Sequence, residues 1–473
     1  MFRFTSIDQY HADLQNGTIT CSQVVDQYLA SIEAQQHLNA YLEVFADEAR
    51  ARAKELDALE PHRRGTLHGV VFGIKDNICY KDHRVSAASK MLEHFRSLYS
   101  ATAVEKVLAE GAIIIGRHNC DEFGMGSTNQ NSAYGPVQNP AHAGAVPGGS
   151  SGGSAAAVSA HLCMAALGSD TGGSVRQPAD FCGVVGLKPT YGNVSRHGLI
   201  AYASSFDVIG ILTRSVPDAE KILQVISGPD AYDSTASAAM QQQTVDVREQ
   251  ERKYRIAYFP QWIEHTSIDP EIAGALHRII ESLKEQGHVV EPVAFELTDY
   301  IVPTYYVLTT AEASSNLSRY DGVRFGLRVA SDSRDLASFY RSSRAAGFGK
   351  EVKRRIMLGT FVLSTGYYDA YFRRAQQVRR LLHQQTKLIF KDFDFVLAPN
   401  SPQVAYPAAA VSEDPLAAYM GDIFTVFANL SGIPSISLPL FKHSTNVPFG
   451  LQVLSAPHNE VSLLRFSHHL MQQ

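Results

Sequence analysis

Residues 168–183 read GSDTGGSVRQPADFCG, and they place two glycines directly before a serine and an Arg-Gln-Pro sequence two residues after it. Glycine is costly inside regular structure and is favoured where the backbone must come close to another group. The stretch is therefore predicted to be a loop in which the backbone closely approaches another group.

Ser174 is the candidate nucleophile of this loop. A serine hydroxyl is a weak nucleophile until a base removes its proton, and the intermediate of acyl transfer needs N–H donors directed at its oxyanion. The backbone of Thr171, Gly172 and Gly173 can supply such donors, and side chains at the two glycines would obstruct the substrate carbonyl. We therefore predict an oxyanion hole at these three residues.

Three residues are candidates for the base: His161, His197 and Lys75. A lysine can act as a base only when burial lowers its pKa enough to leave it neutral near pH 7. Lys75 lies at the end of the apolar stretch GVVFGIKDN, where loss of solvation is expected. The residues alone leave the three alternatives open.

A second glycine-serine cluster, GGSSGGS, occupies residues 148–154. It is not a phosphate-binding P-loop, because that motif ends in GK[ST] and the cluster contains no lysine. It also fits G-x-S-x-G around Ser150, but a nucleophile elbow needs a strand before it, and NPAHAGAVP has two prolines and no strand pattern. Nearby Cys182 is predicted to be a buried, inert thiol.

The chain alternates short apolar runs with amphipathic helical patterns, which predicts a single α/β domain over residues 1–473. N-terminal helices are expected within residues 1–61 and a signature core within 65–228, which includes a long loop at 124–153. A small, polar, aperiodic segment at 230–250 is a possible linker or surface crossing. The part from 254 to 473 is expected to complete the sheet and the substrate pocket.

Composition excludes several classes of protein. The 473 residues carry a net charge of −5, which gives no basic footprint for nucleic acid. No apolar run is long enough for a membrane span, and the first residues lack the apolar core of a signal peptide, so a cytoplasmic protein is expected. Five scattered cysteines without CxxC spacing argue against a disulfide framework and a zinc site.

Taken together, GIKDN, GGSSGGSA and DTGGSVRQPA closely resemble the motifs of the amidase signature family. The resemblance implies a large, twisted, mixed sheet covered by helices on both faces. It also implies a Ser-Ser-Lys triad without a metal, in which Ser174 is the nucleophile, Ser150 the bridging serine and Lys75 the ultimate base.

Four further stretches resemble the glutaminase components of tRNA-dependent amidotransferases within that family, namely residues 119–140, 311–326, 347–371 and 422–439. On the residues alone, KRRI within the third stretch would be a solvated basic helix face. The resemblance instead implies a glutamine pocket. Its residues would be Arg355 or Arg354 for the carboxylate, Asp422 for the ammonium group, and Tyr305 or Tyr306 as a wall.

The resemblance also implies partners. The amidotransferase subunits B and C would complete a heterotrimer, with misacylated Glu-tRNA(Gln), ATP and Mg used mainly by the partner and no cofactor in this chain. Ammonia from glutamine would serve the conversion of Glu-tRNA(Gln) to Gln-tRNA(Gln). The alternatives are a free-standing amidase that acts on another carboxamide, and a scaffold without catalytic activity.

Overall fold

The computed structural model describes residues 4–237, 252–329, 335–412, 414 and 419–473. Within them the chain builds one sheet of eleven strands. The strands, in chain order, are β1 (Tyr41–Val44), β2 (Val71–Lys75), β3 (Ile113–His118), β4 (Ala165–Asp170), β5 (Val185–Lys188), β6 (Val208–Thr213), β7 (Arg255–Tyr258), β8 (Val289–Pro292), β9 (Phe395–Pro399), β10 (Ser435–Lys442) and β11 (Pro448–Ser455).

The spatial order of the strands is β1-β3-β2-β4-β6-β5-β10-β11-β9-β7-β8. Strand β2 runs parallel to both β3 and β4, and β7 runs parallel to both β8 and β9. The neighbouring pairs from β4 through to β9 are antiparallel, as is the edge pair β1 and β3. The sheet is therefore mixed, as predicted.

Fifteen helices of at least one α-turn flank the sheet in the described part of the chain. They are α1 (Ile7–Gln15), α2 (Cys21–Ala34), α3 (Ala46–Asp57), α4 (Thr102–Ala109), α5 (Gly152–Ser159), α6 (Arg176–Cys182), α7 (Val216–Ile226), α8 (Pro260–Ile263), α9 (Pro270–Glu285), α10 (Thr298–Asn316), α11 (Leu336–Gly347), α12 (Lys350–Val362), α13 (Arg374–Asp392), α14 (Val426–Ser431) and α15 (Glu460–Leu470).

Side-chain caps fix where several helices begin. Thr20 and Gln23 form a reciprocal capping box at α2. The Ser215 hydroxyl accepts from the Asp218 amide at the start of α7. Each cap satisfies an amide that the first helical turn leaves without a partner.

The sheet separates two apolar cores. Along β9, Phe395 and Leu397 pack into one core, whereas Val396 and Ala398 pack into the other. Successive side chains of a strand point to opposite faces, so both faces of β9 are covered. The predicted single α/β domain with a large mixed sheet is confirmed.

The N-terminal segment, where helices were predicted, contains α1, α2 and α3 and in addition a strand. Strand β1 lies between α2 and α3 and forms one edge of the sheet by pairing with β3. Most of the possible linker at 230–250 lies outside the described residues. Among those described, no helix combines the length and the apolar character that a bilayer span requires.

Candidate active site

The site begins where the parallel strands β2 and β4 end side by side. Ile74 pairs with Leu167, so Lys75, the last residue of β2, faces the end of β4. The Lys75 side chain is fully buried, and its Nζ donates to Ser150 Oγ at 2.6 Å and to Ser169 Oγ at 2.9 Å. The structure thus brings together two residues that the sequence analysis selected, and it adds Ser169.

Burial dominates the electrostatics of Lys75 and lowers the pKa of its ammonium group. Cys120 and the carboxyl groups of Asp121 and Asp170 act in the opposite direction. The net direction is downward, which favours the neutral amine that a base requires.

The two histidine candidates lie elsewhere. The His197 ring is stacked between Tyr99 and Tyr232, with centroid distances of 4.8 and 4.6 Å. His161 follows the C-terminal end of α5, whereas Ser150 precedes its N-terminal end, and eight helical residues span about 12 Å. Neither histidine forms a hydrogen bond to Ser150 or Ser174 in the described structure.

Ser174 lies in the turn that connects β4 to α6 and is 9% exposed. Its carbonyl oxygen accepts from the Ser151 amide at 3.0 Å, which holds the two glycine-serine loops side by side. The turn therefore places the nearly buried Ser174 next to the loop that carries Ser150.

The predicted oxyanion hole is partly engaged within the protein itself. The Gly173 amide donates to Asp170 Oδ1 at 2.8 Å. Among the described residues, no hydrogen bond engages the amides of Gly172 and Ser174. The Thr171 amide is likewise unengaged in the described structure, so of the three amides predicted for the oxyanion hole only that of Gly173 has a partner within the protein.

Packing within the protein gives a further reason why Gly172 and Gly173 cannot carry side chains. A Cβ at Gly172 would collide with the Tyr305 hydroxyl, and a Cβ at Gly173 would collide with the Thr425 side chain. Gly173 also has φ +122°, a conformation that side chains rarely adopt. Both positions are restricted by packing from distant parts of the chain.

Arg176 explains the residues that follow the serine. Its guanidinium is fully buried and binds both carboxylate oxygens of Asp170 at 3.1 Å. It also donates to Asn429 Oδ1 at 2.8 Å and to Gln452 Oε1 at 2.9 Å. Burial raises the pKa of Asp170, but Arg176 outweighs it and holds that pKa well below its usual range.

Gln177 and Pro178 fix the other loop. Gln177 Oε1 accepts from the Gly149 amide at 2.9 Å. Gly148 has φ +75°, and a Cβ there would collide with Pro178. The Arg-Gln-Pro sequence therefore holds one loop through Arg176 and the other through its next two residues.

A cavity of about 180 Å³ is lined by both candidate arginines, by Glu351 and Tyr419, and by residues of the long loop that follows β3. Arg355 is 5% exposed, and its guanidinium carbon lies 5.4 to 5.6 Å from the ring centroids of Tyr202, Tyr306 and Tyr419. Three aromatic faces around a buried cation make a rigid, positively charged wall. Tyr202 and Tyr419 were not identified from the sequence.

Glu351 binds both arginines. It accepts from Arg355 Nε at 2.8 Å and from Arg354 Nη1 at 3.0 Å. Arg354 is one-third exposed, whereas Arg355 also donates to the Tyr202 hydroxyl at 2.7 Å. Arg355 is therefore the more rigidly held of the two candidates.

Asp422 is connected to Arg355 through Tyr306. The Tyr306 hydroxyl donates to Asp422 Oδ2 at 2.8 Å while its ring faces the guanidinium. Burial raises the pKa of Asp422 to about 6, against the lowering effects of Tyr306 and Arg355. Tyr305 instead lies against Gly172, so the two neighbouring tyrosines belong to different parts of the site.

Cys182 is buried, as predicted, and its thiol donates to the Pro147 carbonyl. Burial raises the pKa of this thiol above its usual range, which disfavours a thiolate. Among the described residues, no group of three or more His, Cys, Asp or Glu side chains is arranged to hold a metal ion.

The fold and this site define an α/β enzyme of the amide-hydrolysing class. The family model described as Amidase matches residues 23–464. The chain is 47% identical to the A subunit of the glutamyl-tRNA(Gln) amidotransferase of Acidobacterium capsulatum, over 96% of this chain and 95% of that one. The chain belongs to the amidase signature family.

Two solved structures are similar over nearly the whole chain. The A subunit of the glutamyl-tRNA(Gln) amidotransferase of Thermotoga maritima has a TM-score of 0.78 and 38% identity, covering 94% of this chain and 90% of that one. The native peptide amidase of Stenotrophomonas maltophilia has a TM-score of 0.80 and 28% identity, covering 99% and 96%.

Replacing Arg176 with Met should lower the free energy of unfolding by about 3 to 5 kcal/mol, because it leaves the Asp170 carboxylate buried without its ion-pair partner. Urea denaturation measures the change. The matched control is Arg50→Met, which breaks an ion pair whose side chains are 53% and 60% exposed, so stability should hardly change. Equal effects of the two substitutions would contradict the structural importance of Arg176.

Proposed function

We propose that this chain is the glutamine-hydrolysing component of a tRNA-dependent amidotransferase. The observation that carries the proposal is the contact between buried Lys75 and Ser150, next to Ser174 and to a pocket where Tyr306 joins a cation, Arg355, to a carboxyl group, Asp422. A free amino acid with an amide side chain presents one carboxylate and one ammonium group, which such a pocket complements.

Acylation starts at Ser174. Its Oγ attacks the side-chain carboxamide carbon of glutamine while its proton passes to Ser150 and the Ser150 proton passes to neutral Lys75. The amides of Gly172 and Ser174 stabilise the negative oxygen of the tetrahedral intermediate. The relay then reverses, the C–N bond breaks, and the protonated leaving group departs as ammonia. Water hydrolyses the resulting ester by the same relay and releases glutamate.

Substrate orientation falls to the pocket around Arg355. The hydrogens on its Nη1 and Nη2 that Tyr202 and Glu351 do not use are directed to the substrate carboxylate. Asp422, held by Tyr306, accepts from the substrate ammonium group. Two fixed ends place the carboxamide at Ser174, and such placement contributes strongly to rate.

The partners follow from the relatives, which are named as components of an amidotransferase. Subunits B and C would join this chain in the cytoplasm, and the former would bind Glu-tRNA(Gln) and use ATP and Mg to activate it. Ammonia from this chain would then form Gln-tRNA(Gln). This chain itself would need no cofactor.

A free-standing amidase is the second candidate, and the likeness to a peptide amidase over 99% of the chain favours it. Such an enzyme would use Lys75, Ser150 and Ser174 in the same way on another carboxamide. It would need neither partner subunits nor tRNA, and its activity would not depend on Arg355 and Asp422.

The first test is ammonia release from glutamine by purified protein, alone and with subunits B and C, ATP and Glu-tRNA(Gln). We expect stimulation by the partners and loss of activity in Ser174→Ala but not in Ser444→Ala, which alters the turn between β10 and β11. Partner-independent hydrolysis of simple amides, with glutamine a poor substrate, would favour the free-standing amidase. Wild-type protein that releases no ammonia with or without the partners would point to a non-catalytic scaffold, and full activity in Ser174→Ala would exclude Ser174 as the nucleophile.

The two arginines should differ in glutamine binding. Arg355→Lys should raise KM for glutamine about 10- to 100-fold, because charge-assisted hydrogen bonds to a carboxylate contribute about 1.5 to 3 kcal/mol. Arg354→Lys is the matched control on the same helix and should change KM far less. Steady-state kinetics of both variants decides the assignment, and the reverse order would give the carboxylate to Arg354.

Activity should rise with pH because Lys75 acts only when it is neutral and the neutral fraction grows as pH increases. Burial lowers the pKa of Lys75, so the ascending limb of kcat/KM should lie below the range of an exposed lysine. The profile should be unchanged in Lys106→Met, where the lysine binds the Ser227 carbonyl instead. A flat profile across neutral pH would argue against Lys75 as the base.

A further inference from the structure

Asp207 connects two parts of the site that are far apart in the sequence. It precedes β6 and is 3% exposed. Its Oδ1 accepts from the Thr171 hydroxyl at 2.6 Å, directly beside the loop that carries Ser174. Its Oδ2 accepts from the amides of Tyr202 and Ala203 at 3.0 and 3.1 Å. One carboxylate therefore joins the loop at Thr171 to the turn at Tyr202.

The turn at Tyr202 reaches the substrate pocket. The Tyr202 hydroxyl accepts from Arg355 Nη1 at 2.7 Å, and the Tyr202 ring lies 5.6 Å from the guanidinium carbon. A continuous path of contacts thus runs from Thr171 through Asp207 and Tyr202 to Arg355. Every side chain on this path is buried.

In the described structure, the buried carboxyl group of Asp207 is not stabilised by an ion pair. Within the described residues, no lysine or arginine forms a salt bridge to Asp207. Burial raises the pKa of Asp207 to about 7, against the lowering effect of the hydrogen bonds that Thr171 and the two amides donate. A buried carboxyl group is costly unless each of these bonds is made. Asparagine has nearly the same shape but only one acceptor oxygen, so it cannot accept from the Thr171 hydroxyl and from the amides of Tyr202 and Ala203 on separate oxygens, as Asp207 does.

We infer that Asp207 is a positioning residue. It fixes the position of the loop that contains Thr171 and Ser174 relative to Arg355, so that glutamine bound at both ends presents its carboxamide carbon to Ser174. The inference rests on the proposed function, because it takes Arg355 as the carboxylate-binding group. In the described structure Asp207 forms no hydrogen bond to Lys75, Ser150 or Ser174. It acts through Thr171 on one side and Tyr202 on the other.

If Asp207 has this role, its loss should affect a substrate bound at two points more than a substrate bound at one. Glutamine is held at both its carboxamide and its α-carboxylate, whereas butanamide has the same amide end and no carboxylate. When the loop of Ser174 shifts relative to Arg355, a substrate bound at both points is misplaced. Small misplacements of this kind reduce the rate by as much as about 100-fold. General damage to the fold reduces both activities in parallel.

The experiment measures kcat and KM of Asp207→Asn for glutamine and for butanamide in the full chain, with the partner subunits if glutaminase activity needs them. We expect kcat/KM for glutamine to fall about 10- to 100-fold and the preference for glutamine over butanamide to fall about 10-fold. The matched control is Asp218→Asn, another buried carboxylate that binds the Ile7 amide, and it should leave the preference unchanged. A parallel loss on both substrates would overturn the inference.

Variants at the two ends of the path keep the test decisive if Asp207→Asn does not fold. Thr171→Val should lower mainly kcat and Thr171→Ser should restore it, whereas Tyr202→Phe should raise mainly KM for glutamine. The same change in KM and kcat from both end variants would count against the path. Wild-type protein that hydrolyses butanamide but not glutamine would overturn the proposed function instead, so the two failures are distinct.

Discussion

The buried ion pair between Asp170 and Arg176 is the interaction on which the site depends. It spans the turn that carries Ser174, because Asp170 ends β4 and Arg176 begins α6. Neither charge reaches solvent, so each must be fully hydrogen-bonded inside the protein. Arg176 therefore draws in Asn429 from α14 and Gln452 from β11, which joins the last quarter of the chain to the turn. The position of Ser174, the candidate nucleophile, therefore depends on elements that are distant in the sequence, as well as on its own turn.

The same convergence explains why the turn is so intolerant of side chains. Thr425, at the start of α14, donates to the Gly172 carbonyl at 2.7 Å, and its side chain occupies the space that a Cβ of Gly173 would need. Tyr305 from α10 does the same at Gly172. The sequence predicts correctly that these glycines allow a close approach. It does not show that the approaching groups come from the protein itself.

Several strands could be predicted because the composition of a short stretch of sequence is enough to indicate them. The runs at 69–77 and 112–119 have the apolar, β-branched character of buried strands, and they become β2 and β3. Strand β1 escaped prediction because it is short and half exposed, and only pairing with β3 makes it a strand. In the site, the burial of Lys75 was predictable from its position at the end of an apolar strand. Tyr202 was not, because nothing near it in the sequence reveals that Arg355 will lie against its ring.

A buried lysine beside several carboxyl groups would ordinarily be held protonated by an ion pair. In this site the carboxylates form their hydrogen bonds and ion pairs with groups other than Lys75. Asp170 is bound by Arg176, and Asp121 accepts from the amides of Asn129 and Asn131 at 2.9 and 3.1 Å. Within the described structure no carboxylate forms a salt bridge to Lys75, and its side-chain partners are the hydroxyl groups of Ser150 and Ser169. A hydroxyl stabilises an ammonium ion far less than a carboxylate does, so burial determines the direction in which the pKa of Lys75 shifts and favours its neutral form.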